Sequence, residues 1–207
     1  IDDFGSDEQK QKYLPGCVSG DIITAIGMTE PDAGSDLAGM KTTAVEDGDD
    51  VIIDGSKTFI TNGINSDLVI VAARDPKIHQ IHQSISLYFV ESGNPGFKRG
   101  RKLDKMGYRS QDTAELFFSN CRIPKENRLG EKGEGFPMLM KKLQQERLSV
   151  VISAIFIADR ILEWTIEYCK KITAGGQPIS KSQAVQFALV EMSAEVKIGK
   201  TFVEKLV

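Results

Sequence analysis

Glu146 stands where a charged side chain could do chemistry. It lies in LQQERL, residues 143–148, inside a run that reads as one long helix from Pro137 to Lys171. Steps of three and four along one face give Leu139, Leu143, Glu146, Val150, Ser153, Ile157, Ile161, Trp164 and Tyr168. Residues so spaced share a helix face, which places a carboxylate on the stripe expected to pack inward. A buried carboxylate is costly unless it is paired or its pKa rises. Two readings are open: a structural ion pair, or a proton acceptor tuned by burial at a ligand cavity. Arg147 is a poor partner, because consecutive helical residues do not face each other.

A second candidate is TEPDAGSD, residues 29–36, which follows the apolar run IITAIGM. Pro31, Asp32 and Gly34 suit a tight turn at a strand end. The same corner could instead present hydroxyls and free backbone N–H groups as a polar ledge for a ligand. Weaker signals are the basic run KRGRKLDK, Lys98 to Lys105, and the glycines of EKGEGF. A charge run is usually a solvated loop, and those glycines lack the strand and spacing of a dinucleotide site. His79 and His82, in HQIH, have neither a cysteine nor an acidic partner beside them and read as loop residues rather than metal ligands.

The elements that must position these residues fall into three stretches. Residues 1–20 read as a polar helix starting at Ser6 and stopping at Pro15-Gly16, the tail of a larger helical domain. Residues 21–130 carry short runs rich in Val, Ile, Thr and Phe, separated by Asp-Gly and Asn-Gly punctuation. Asp47-Gly48 and Asp54-Gly55 flank one short run, a hairpin signal. This pattern predicts an antiparallel β-barrel or sandwich. Residues 131–207 read as helices of an up-down bundle, broken at Gly175-Gly176 and restarting at Ser180 or Ser182. With no closing signal at Val207, that bundle is expected to be cut short. The fold class is therefore α+β and multidomain.

With 41% apolar residues and a net charge of −3, the chain suits a globular protein and lacks the basic face of a nucleic-acid binder. No apolar run is long enough for a transmembrane segment, and the acidic start has no signal-peptide core. Three widely spaced cysteines suit packed or surface thiols in a reducing compartment.

Several stretches together resemble the flavin-dependent acyl-CoA dehydrogenase family, over essentially the whole chain. TEPDAGSD resembles its strand-end flavin motif and DGSKTFITNG, residues 54–63, its second flavin-contacting strand. KMGYRSQDTAELFF and RIPKENRLGEKGEGF match the end of its β domain and the linker into the helices. LQQERL resembles the long-chain branch, where the catalytic glutamate lies on this helix. The resemblance implies a middle β domain plus the first helices of the C-terminal bundle. It implies FAD as cofactor, with Ile26, Met28, Thr29 and Ser35 lining one side of the ring. Phe59, Ile60 and Thr61 would line the other, and Gln183 would make a further FAD contact. Ser35, Asp67, Leu68, Gln144 and Arg147 match positions that touch acyl-CoA, with Arg147 near the nucleotide end.

The implied reaction is α,β-desaturation of a long acyl-CoA thioester in fatty-acid β-oxidation. Glu146 would take the α-proton while its backbone N–H helps to polarise the thioester carbonyl. An electron-transferring flavoprotein would accept the electrons, and the assembly would be a homotetramer built as a dimer of dimers. A mitochondrial matrix or a bacterial cytoplasm suits such a protein equally. Two family positions differ: Ile172 replaces an arginine that reaches FAD in the adjacent subunit, and Gly175 replaces a phenylalanine. Pro137 stands where the long-chain branch has a tyrosine. The alternatives are an acyl-CoA oxidase and a flavin-poor homologue that binds acyl-CoA or a partner without turnover.

Overall fold

The computed structural model describes all residues 1–207 and divides into two compact units, Ile1–Met140 and Lys141–Val207. The first opens with α1 (Asp7–Ser19), started by a capping box in which Ser6 and Gln9 each bond the other's backbone N–H. The helix continues through Pro15 instead of stopping there, and ends at Gly20, held at φ 85. Proline removes a single amide donor, whereas the left-handed C-cap supplies the actual stop. Gln9 is buried and ties α1 down, its Nε2 donating to the carbonyls of Glu126 (2.7 Å) and Arg128 (2.9 Å).

Eight strands form one sheet: β1 (Thr24–Gly27), β2 (Thr43–Asp47), β3 (Asp50–Thr61), β4 (Leu68–Arg74), β5 (Ile85–Glu91), β6 (Phe97–Lys102), β7 (Thr113–Pro124) and β8 (Arg128–Leu129). The order is β6-β7-β3-β2-β4-β5-β8, with β1 beside β4. Most pairings are antiparallel, as expected, but β1 and β2 both run parallel to β4, which makes the sheet mixed. A short helix, α2 (Ile81–Ser84), precedes β5, and the ring of the exposed His82 lies 4.4 Å from that of Phe136.

The β2–β3 hairpin turns at Gly48–Asp49, as Asp47-Gly48 signalled. Asp54-Gly55 is not a turn. It lies inside the twelve-residue strand β3, opposite a bulge of β7 at Asn120 (φ 46), with Gly55 at φ 151 packed against the Thr42 backbone. A Cβ there would sit 2.7 Å from Thr42 Cα, so only glycine lets the strand continue.

Strand alternation divides the core between the two faces of the sheet. Val69, Val71, Ala73, Tyr88 and Val90 join Val51, Ile53, Leu116 and Phe118 on one face. Leu68, Ala72, Ile85, Leu87 and Phe89 face the other way, toward Tyr13 of α1 and toward Met138 and Leu139. The last two belong to the first turns of α3 (Gly135–Lys171), where Pro137 is tolerated as expected.

The second unit holds the rest of α3 and α4 (Gln183–Leu206). Between them, β9 (Thr173–Ala174) and β10 (Gln177–Pro178) form a minimal hairpin turning on Gly175 (φ 58) and Gly176 (φ 76). The helices meet where Gly199 admits Ile155 and where Lys200 Nζ lies 2.8 Å from Asp159. Leu162, Cys169, Val196 and Val203 are buried. The stripe that carries Glu146 is not: Val150, Ile157, Ile161, Trp164 and Tyr168 are all more than half exposed.

Candidate functional site

β1 leaves the sheet at Gly27, and the chain turns between Glu30 and Ala33, which exchange two backbone hydrogen bonds (2.9 and 3.2 Å). Pro31 and Asp32 occupy the middle of this turn, so the corner does reverse the chain. It is also anchored from beneath. Glu30 is buried, its carboxylate accepting from the backbone N–H of Lys41 (2.6 Å), from that of Thr42 (3.0 Å) and from Lys57 Nζ (2.8 Å). Burial pushes the Glu30 carboxyl up, but Lys57 and the two amides outweigh it and hold the group below the usual glutamate range. Burial lowers the Lys57 ammonium, with Glu30 opposing.

Lys57 Nζ also donates to the Met28 carbonyl (3.2 Å), and Thr58 N–H donates to the Thr29 carbonyl (2.9 Å). These bonds join the corner to β3. Just beyond, β3 bulges between Lys57 and Ile60, and Phe59 stands out at φ 58 with 68% of its surface exposed. A positive φ is uncommon for an aromatic residue and here turns the ring away from the core. Ile26 is exposed between two buried neighbours, Met28 and Thr29 are half-buried, and Ser35 and Thr61 are exposed. The Thr29 N–H and hydroxyl form no hydrogen bond within the chain. The first unit therefore gathers Ile26, Met28, Thr29, Phe59 and Thr61 around one corner, with open donors and exposed apolar surface that fit a planar, acceptor-bearing ring.

Two expected lining residues belong elsewhere. Ile60 is 2% exposed and Leu68 1% exposed, each on the inward parity of its strand, so only their backbones remain for a ligand. Asp67 is exposed at the far end of β1 from Thr29, and its carboxylate accepts from Ile23 N–H (2.9 Å).

In the second unit, Gln144, Glu146 and Arg147 are exposed on α3, and Gln183 is exposed at the start of α4. The expected burial of Glu146 is not found: its stripe is buried at Leu139, but Glu146 and the apolar residues from Val150 onward are exposed. Glu146 also lies well inside α3, where its N–H belongs to the helical hydrogen-bond ladder and is not free to polarise a carbonyl. Ile172 is 41% exposed at the end of α3.

The sequence reading gave Lys57 no role. Its parity with Val51 and Ile53, set against the acid of TEPD, was the available signal for the buried pair.

Comparison with known proteins now bears on this corner. A family model described as "Acyl-CoA dehydrogenase, middle domain" matches residues 25–121, and one described as "Acyl-CoA dehydrogenase, C-terminal domain" matches residues 133–207. The chain belongs to the acyl-CoA dehydrogenase family. Members of the family are FAD-dependent oxidoreductases. The mouse mitochondrial long-chain specific acyl-CoA dehydrogenase is 45% identical over 99% of this chain and 48% of its own length. A short-chain specific acyl-CoA dehydrogenase from Megasphaera elsdenii is 39% identical over 98% of this chain and 53% of its own. The crystal structure of acyl-CoA dehydrogenase from Geobacillus kaustophilus matches with a TM-score of 0.94 and 55% identity, covering 100% of this chain and 55% of that one. The chain thus spans about half the length of the relatives it matches.

Proposed function

We propose that the protein is an FAD-dependent acyl-CoA dehydrogenase that introduces a trans α,β double bond into acyl-CoA thioesters in fatty-acid β-oxidation. The observation that carries this reading is the corner of the first unit, where open Thr29 donors and the outward Phe59 ring meet in a chain of this family. Met28, Thr29 and Ser35 would hold the flavin on one side, with Phe59, Thr61 and the Ile60 backbone on the other, and Gln183 adding a contact. When bound, FAD supplies an acceptor for the hydride that leaves the substrate β-carbon.

This chain's own residues bind, orient and move the proton. Glu146 takes the α-proton at its carboxylate, and the electron pair of the broken C–H bond becomes part of the new double bond. Gln144, Arg147, Asp67 and Ser35 orient the acyl-CoA. The exposed Ile26 and Phe59 surfaces exclude water from the reacting carbons. An electron-transferring flavoprotein reoxidises the cofactor, and the assembly is a homotetramer. Relatives carry both long-chain and short-chain names. The LQQERL helix favours long chains. The mitochondrial matrix and the bacterial cytoplasm both suit the protein.

A flavin-poor acyl-CoA-binding homologue is the second reading, favoured by one observation: an isoleucine cannot neutralise a pyrophosphate as the family's arginine does. The absorbance spectrum of the purified protein separates the readings. A flavin band that bleaches anaerobically across a series of acyl-CoA lengths supports the dehydrogenase. A colourless protein that still binds acyl-CoA contradicts it, and dioxygen consumption without an acceptor protein marks an oxidase.

A further inference from the structure

The buried Lys57–Glu30 pair is more than a turn of this kind requires. Lys57 has none of its side chain exposed and Glu30 only 4%, and burying two charges costs several kcal/mol per ion before their attraction returns any of it. Two apolar residues would close the same space at lower cost. Gly27, on the neighbouring strand, makes room for the lysine stem: a Cβ there would lie 3.3 Å from Lys57 Cγ. What the ammonium gains beyond Glu30 is the Met28 carbonyl, at 3.2 Å.

We propose that the Lys57–Glu30 pair is a positioning device that orients the Met28–Thr29 peptide so that its N–H faces the flavin ring. The inference rests on the flavin reading above. In a trans peptide the C=O and N–H point in opposite directions. Drawing the Met28 carbonyl inward onto Lys57 Nζ therefore turns the Thr29 N–H outward, and that N–H has no partner in the chain. The next two carbonyls are held as well, Thr29 by Thr58 N–H and Glu30 by Ala33 N–H, so the corner cannot relax by rotating a neighbouring peptide. Glu30 holds the ammonium in place and is itself fixed by the amides of Lys41 and Thr42. The pair touches neither substrate nor cofactor. It acts through one peptide plane, and a donor fixed before binding is what favours added electron density on a ring.

The test compares the wild type with a Glu30→Gln/Lys57→Met double variant by titrating each apoprotein with FAD. The flavin absorption maximum, the midpoint potential and the apoprotein melting temperature are recorded together. The double variant removes both charges, leaves an oxygen that can accept from one of the Lys41 and Thr42 amides, and deletes the donor to Met28. The expected result is an FAD Kd raised about tenfold, the loss of one well-placed donor. A shifted flavin band and a lowered midpoint potential accompany it, with little change in melting temperature. Glu30→Gln alone keeps Lys57 on the Met28 carbonyl and is expected to hold affinity within about twofold. Wild-type affinity, spectrum and potential in the double variant overturn the inference while leaving the flavin reading intact. A tenfold loss in Glu30→Gln alone overturns it too, since the effect then follows charge and not the carbonyl. A wild-type protein that binds no FAD overturns both.

Discussion

Glu30 makes the acid behaviour of the corner calculable in sign. Its folded pKa lies below the ordinary glutamate value of 4.5, so its ionised form is stabilised by folding. That contribution is fully present above the unfolded pKa and is lost as pH falls through the lowered folded value. The stability gap between wild type and Glu30→Gln, measured by urea unfolding, is expected to be widest near neutrality and to shrink steadily below about pH 4.5. A gap independent of pH would remove the ion pair from the account. Cys121 behaves in the opposite direction: burial, with Asp54 adding to it, pushes its thiol up from 9.0 to about 11. Buried and protonated at neutral pH, it should resist thiol reagents in the native state while the half-buried Cys17 reacts first. Early labelling of Cys121, read by mass spectrometry, would contradict the packing described. The site was unevenly legible at this scale. TEPDAGSD stood out as a corner because of its turn residues at a strand end, whereas the inward-facing carboxylate expected of LQQERL is exposed in this chain. Lys57 was missed because a lysine in a strand reads as a solvated side chain until its parity and its distant partner are seen together. Ile60 and Leu68 look like ligand-lining residues in a motif, but strand alternation turns them into the core.

The elements show where local signals carry and where they stop. The capping box at Ser6, the Gly48 hairpin and the start of α3 follow from short-range chemistry and were readable from a few residues. Pro15 and Asp54-Gly55 misled because the same residues serve turns, helix interiors and strand interiors, and tertiary neighbours decide which. The parallel pairings of β1 and β2 with β4 depend on contacts far apart in the chain, which no local pattern encodes. Gly55 turns this lesson into a prediction. With φ at 151 and Thr42 Cα 2.7 Å from an added Cβ, Gly55→Ala is expected to cost about 3 kcal/mol or more in chemical denaturation. A loss under about 1 kcal/mol would mean that the close approach to Thr42 tolerates a side chain. Gly175, at φ 58, serves with Gly176 as the two-residue turn between β9 and β10.

As a whole molecule, the chain divides into two units. Residues 1–140 hold two buried clusters on the two faces of one sheet. Expressed alone, they are expected to unfold in urea as one cooperative, β-rich transition; a gradual, non-cooperative loss of ellipticity would contradict this. Residues 141–207 expose Val150, Phe156, Trp164, Phe187 and Phe202 on two helices, more apolar surface than an isolated helix pair normally shows to water. No helix is long and apolar enough to cross a membrane. The proposed chemistry gives the substrate's α-proton to Glu146. Anaerobic rapid mixing of acyl-CoA with the FAD-loaded protein tests that directly, comparing wild type with Glu146→Gln. The variant is expected to keep its flavin and still bind acyl-CoA, with flavin bleaching slowed at least about 1,000-fold for loss of the general base. Bleaching at the wild-type rate would mean that the α-proton goes to another group and that Glu146 is not the base.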